Sequence, residues 1–90
     1  MRKIIGRVTE AEKNEIHSLY ERKNGLSELA KIINPDDAIY EKLVIDMGST
    51  STKFQKWWDT MSSKYQWESI ENGHWEIDFE SCDIILVSYI

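Results

Sequence analysis

Lys53-Phe54-Gln55-Lys56-Trp57-Trp58-Asp59-Thr60-Met61-Ser62-Ser63-Lys64-Tyr65-Gln66-Trp67 is the stretch that decides how this chain folds. It holds three of the four tryptophans. Wound as a helix, it places Phe54, Trp57, Trp58, Met61 and Tyr65 at i, i+3, i+4, i+7 and i+11, on one broad apolar face. Each of these aromatic side chains has roughly 150–250 Å² to take out of water. The face therefore sets the position of the core, and the rest of the chain must cover it.

Upstream, Ile39, Tyr40, Leu43, Val44 and Met47 continue the same stripe. Met47 and Phe54 are one heptad apart, so the stripe stays in phase across Gly48-Ser49-Thr50-Ser51-Thr52, although that segment is poor helix sequence. The phase favours one helix to about Lys64 over a hinge. Asn34-Pro35-Asp36-Asp37 marks its start. Pro35 pushes Asn34 out of helical geometry, which ends the preceding helix. Asn34 is then placed to N-cap the next, with Pro35 at its first position and two acids in its first turn. The preceding helix opens on a capping box, Thr9-Glu10-Ala11-Glu12. Its stripe runs through Ile16, Leu19, Tyr20, Leu26, Leu29, Ala30 and Ile33. The tight join between the two predicts an antiparallel helical hairpin, with helices at about residues 10–33 and 35–64.

Downstream of Trp67 the period changes. Asn72-Gly73 is a type I′ turn signal. His74-Trp75-Glu76-Ile77-Asp78-Phe79-Glu80 alternates, with Trp75, Ile77 and Phe79 on one face and the acids on the other. After a turn at 80–83, Ile84 to Ile90 is a nearly continuous apolar strand. Trp67 to Glu71 is a candidate third strand, and Arg2 to Val8 is a short β-prone run. The expectation is an α+β fold in one domain, residues 1–90. It consists of a two-helix hairpin at about 9–65, then a C-terminal antiparallel meander of two or three strands at about 67–90. Helix two runs past the start of helix one, so the sheet has to cover its aromatic end.

A chain of 90 residues buries only roughly 60–65% of its unfolded surface. The net charge is −5. Residues 1–33 hold seven Lys/Arg against five Asp/Glu, and residues 34–90 hold four against eleven. From Gln66 onward there are six acids and no Lys or Arg. Such a surface disfavours nucleic acid and anionic membrane and suits a basic partner. The single cysteine, Cys82, forms no intramolecular disulfide. Together with the lack of a signal-peptide pattern, this leads us to expect a soluble cytoplasmic protein. No apolar run approaches the roughly 20 residues that span a bilayer.

Residues for catalysis are not arranged for it. His17 and His74 have no partners at metal-ligand spacing. Cys82 sits in a turn between acids, the wrong setting for a nucleophilic thiol. Glu76, Asp78 and Glu80 read as a solvent face without the apolar setting a catalytic acid needs. No glycine-rich phosphate loop is present. The expectation is a protein that is not an enzyme, needs no cofactor or metal, and works by binding. Its candidate contact residues lie where the aromatic end of helix two meets the sheet. Trp58, Tyr65 and Trp67 are the apolar anchors. Glu76, Asp78 and Glu80 are a carboxylate row for a basic segment. The edge of the last strand offers backbone pairing to a peptide. The alternative gives the aromatics to the core and makes the hairpin a homodimer interface.

Several segments resemble the small CXXX repeat peptide modification system proteins. They are Val8-Thr9-Glu10-Ala11-Glu12-Lys13-Asn14-Glu15-Ile16, Tyr20-Glu21-Arg22-Lys23-Asn24-Gly25-Leu26, Leu43 to Gly48, Lys53-Phe54-Gln55-Lys56-Trp57-Trp58, Lys64-Tyr65-Gln66-Trp67 and Gly73-His74-Trp75-Glu76-Ile77-Asp78-Phe79-Glu80. The Trp-Trp helix and the Trp-Glu-Ile-Asp-Phe segment are the most specific. That family is encoded with radical S-adenosylmethionine maturases and with ribosomal peptides bearing repeated Cys-x-x-x units. The resemblance implies an accessory role in peptide maturation, with the precursor peptide or the maturase as partner. It supplies no catalytic residues to carry over. This chain has no Cys-x-x-x repeat, so the resemblance implies a helper and not the modified peptide.

Overall fold

The computed structural model describes residues 1–88. Tyr89 and Ile90, expected at the end of the last strand, lie outside the described residues. The order of elements is β1 (Arg2–Arg7), α1 (Glu10–Ile32), α2 (Ala38–Tyr65), β2 (Gly73–Ile77) and β3 (Asp83–Ser88). The α+β fold expected from the pattern is the observed one, an antiparallel helical hairpin and an antiparallel sheet.

Local chemistry starts and stops each helix. At α1 the Thr9 hydroxyl accepts from Glu12 N–H, and the Glu12 carboxylate accepts from Thr9 N–H, so the capping box is complete. The second cap differs from expectation. Asp37, not Asn34, is the N-cap of α2, its carboxylate accepting from Ile39 N–H at 3.0 Å. Asn34 instead uses its side chain two residues on, accepting from Asp36 N–H. Asn makes this local turn readily, and here it takes up the residues that an immediate second helix would have used. α2 then runs unbroken through residues 48–52. Thr50 is buried, and Thr52 donates its hydroxyl to the Gly48 carbonyl four residues back.

The sheet order is β1-β3-β2, with both pairings antiparallel. The third strand is therefore the N-terminal run, not Trp67 to Glu71. Residues 67–72 form an irregular connection from Gln66, whose left-handed backbone ends α2. Nor does Asn72-Gly73 close a hairpin. Of these two residues only Asn72 has positive φ, and Gly73 N–H donates to the Ile70 carbonyl in a turn that opens β2. β2 is also shorter than the alternation suggested. It ends at Ile77, and Asp78 to Cys82 turn the chain, Cys82 N–H donating to the Asp78 carbonyl.

The core lies where one end of the hairpin meets the inner face of the sheet. Val8, Ile16, Trp57, Met61, Trp67 and Ile84 are buried there, with Phe54, Trp58, Tyr65, Trp75, Ile77 and Phe79 packed around them. Trp57 donates its indole N–H to the Glu12 carbonyl, tying α2 to the first turn of α1. Further along, Arg22 pairs with Asp46, and the Lys23 ammonium lies 4.8 Å over the Phe54 ring. The hairpin is longer than the sheet is wide, and among the described residues no strand covers its loop end. There Leu29, Ile32, Ile39, Val44 and Ile45 are exposed.

Candidate functional site

Trp58 of α2, Trp75 of β2 and Trp67 of the connection between them meet near the end of α2. Trp58 lies near-parallel to Trp75 with centroids 6.5 Å apart, and Trp67 meets both edge-on at 6.0 and 5.7 Å. Trp67 is buried and takes its place in the core, so it offers no contact surface. Tyr65 stacks on Trp67 at 5.7 Å and donates its hydroxyl to Glu12. Its ring is occupied in holding the helix end to α1. Of the expected anchors, Trp58 is the one that walls the clefts beside β2.

That space runs along β2. A cleft of about 340 Å³ lies toward the start of the strand, walled by Phe54, Trp58, Ile70, His74 and Trp75. A second, of about 290 Å³, lies toward its end, walled by Phe54, Trp58, Trp75, Glu76, Ile77 and Phe79 with Tyr20 beyond. The two share Phe54, Trp58 and Trp75 and form one groove between α2 and β2. A depression of about 580 Å³ on the other flank of α2, between Leu19 and Thr60, is larger but borders no strand. The groove is distinguished by the backbone beside it.

The last strand, expected to offer an edge, does not. β3 is the central strand, paired on one side with β1 and on the other with β2. Returning the N-terminal run to the sheet covers it, and leaves β1 and β2 as the edges. β1 is guarded by Arg2, Lys3 and Arg7, and basic side chains of this kind blunt an edge against further pairing. β2, Gly-His-Trp-Glu-Ile, has none. The ladder fixes which of its backbone groups are available. Asp78 N–H donates to the Asp83 carbonyl, and Glu76 lies opposite Ile85. By antiparallel alternation, Glu76 and His74 turn their backbone groups toward β3, and Trp75 and Ile77 turn theirs to the open edge.

The carboxylate row is not uniform. Glu76 accepts from Arg2 at 3.1 Å and contacts His74 at 2.8 Å; His74 and then Arg2 hold its carboxyl below the usual range. Asp78 uses one oxygen to accept from the N–H groups of Glu80 and Ser81, which builds the turn. Glu80 is exposed in that turn. β1 supplies cations to three acids of the C-terminal third, through Arg2–Glu76, Lys3–Glu68 and Arg7–Asp83. Among the described residues, Glu71 and Glu80 form no ion pair, and they stand in the turns immediately before and after β2.

Phe54 and Trp75, core-facing in the sequence pattern, pack against the core and also wall the groove. Alternation identifies Trp75 as inward-facing in β2, but that β2 is an edge depends on β1 pairing elsewhere. Among the described residues no cluster of His, Cys, Asp or Glu is arranged to hold a metal ion, and no helix is long and apolar enough to cross a membrane. The arrangement suits recognition, with apolar walls, an open strand edge and fixed charge at its two ends. Comparison with protein families, with curated proteins and with solved structures finds no match to this chain.

Proposed function

We propose that this chain is a non-catalytic accessory protein that binds an extended peptide along the free edge of β2, in the groove walled by Phe54, Trp58 and Trp75. The observation that carries the reading is the coincidence of that aromatic groove with the outward backbone groups of Trp75 and Ile77. An extended peptide satisfies such groups by adding a strand, and its alternate side chains then enter the groove. The resemblance to CXXX repeat peptide modification proteins gives the peptide an identity. It is a segment of a ribosomally made precursor, or of the radical S-adenosylmethionine maturase that acts on it, met in the cytoplasm. Titration of isotope-labelled protein with a synthetic peptide carrying repeated Cys-x-x-x units tests this. Resonance shifts centred on Phe54, Trp58, Trp75 and Ile77 support it. Shifts elsewhere, or none at millimolar peptide, sink it.

A second reading rests on a different surface. Ile32 is 79% exposed and Ile45 68%, and Leu29, Ile39 and Val44 share the loop end of the hairpin with them. A second copy packing there gives a helical homodimer, in which the chain is its own partner. Sedimentation mass rising toward twice the chain mass with concentration, and abolished by Ile32→Glu with Ile45→Glu, supports this reading. A concentration-independent monomer mass excludes it.

A further inference from the structure

We infer that the groove selects an extended segment with two large apolar side chains two residues apart and lysine or arginine on both sides of them. This rests on the groove being a peptide site, and adds what the peptide must look like. Two neighbouring clefts share Trp58 and Trp75 and follow one another along β2. On an added strand, residues i and i+2 point to the same face about 6.6–6.8 Å apart. One apolar side chain then enters each cleft. The residue between them points to the opposite face, beside Glu76, whose charge Arg2 already meets. That position has no call for a cation.

The charge requirement comes from the ends. Glu71 precedes β2 and Glu80 follows it, both exposed and, among the described residues, in no ion pair. A segment spanning β2 brings its flanking residues near these two carboxylates whichever way it runs. The cations of the sheet sit on β1, at its far edge, and are engaged with Glu68, Glu76 and Asp83, while Lys23 lies over the Phe54 ring, away from the turns that hold Glu71 and Glu80 in the chain. A basic-flanked segment is therefore attracted at both ends and an acidic-flanked one repelled at both.

Three capped heptapeptides separate the requirements in a tryptophan-fluorescence titration of the whole chain, two of whose four tryptophans, Trp58 and Trp75, wall the groove. The first is Lys-Thr-Leu-Thr-Leu-Thr-Lys. The second has Glu for both Lys. The third has the same composition as the first with the two Leu adjacent. The first should bind about 3- to 10-fold more tightly than either other at low salt, as two exposed charge pairs allow. Glu71→Gln with Glu80→Gln, both on the surface, should remove the difference between the first and second peptides and keep that between the first and third. Equal binding of all three overturns the inference while leaving the groove as a peptide site. Binding of none, or binding that does not slow amide exchange at Trp75 and Ile77, overturns the groove reading itself.

Discussion

Gly6 and Trp67 fit together with no room for a side chain between them: a Cβ on Gly6 would stand 2.8 Å from the indole Nε1 and 3.1 Å from Cδ1. The two residues lie far apart in the chain, one in β1 and the other just beyond α2. Their contact brings the N-terminal strand over the tryptophan cluster. The cost is that Trp67 Nε1 is buried without a hydrogen-bond partner among the described residues.

Gly6→Ala should therefore destabilise the fold by about 1–3 kcal/mol, because the methyl meets a buried, rigid ring and not a flexible chain end. The urea midpoint measures it. An unchanged midpoint would show that β1 does not press on Trp67.

Gly25 and Gly48 give the opposite expectation. Both lie inside helices, and a Cβ at either meets nothing within 4 Å. Alanine removes backbone freedom from the unfolded chain and strains nothing in the folded one. Each substitution should stabilise by about 0.4–1 kcal/mol. A fall in the denaturation midpoint for Gly48→Ala would mean that α2 bends there.

Among the described residues, Glu12 gathers more side-chain partners than any other acid. It completes the α1 cap and accepts from Lys64 at 2.6 Å and from the Tyr65 hydroxyl at 2.5 Å. Burial pushes its carboxyl up, but the bonds from Lys64, Tyr65 and Thr9 outweigh this and bring it from the ordinary 4.5 to about 2. A depressed folded-state value means stability that is fully present above pH about 4.5 and lost as pH falls toward about 2. Glu12→Gln should cost about 1–3 kcal/mol at neutral pH. The gap between variant and parent should close on acidification through that window. A gap independent of pH would show that the charge of Glu12 is not what holds the helix ends together.

The tryptophans should rank by burial. Trp57, 3% exposed and bonded to the Glu12 carbonyl, is the most deeply set, and Trp57→Ala should cost about 3–5 kcal/mol. Trp75 is only half-buried and borders both clefts, though its indole N–H donates to the Glu68 carbonyl at 2.9 Å. Trp75→Ala should cost less, about 2–3 kcal/mol. Chemical denaturation of the two variants decides the order. If Trp75→Ala is the more damaging, its ring serves the core and not the groove.

Much of this architecture is local and was legible in order along the chain. The capping box at Thr9 and Glu12 needs only four residues. The in-phase stripe from Ile39 to Tyr65 foretells one long helix because side-chain direction repeats with the helical period, whatever lies beyond it. The inward face of Trp75 and Ile77 follows from strand alternation alone. What no local pattern encodes is which strand stands beside which. β1 crosses the whole chain length to pair with β3, and that one pairing turns the expected edge into the centre of the sheet. It also makes β2 the open edge. The same non-local packing sends Trp67 into the core, leaves Trp58 at a groove, and brings Arg2 to Glu76. Residue type and spacing determined the elements and their faces, while the partners of those faces depended on contacts between residues far apart in the chain, and these only the folded structure decides.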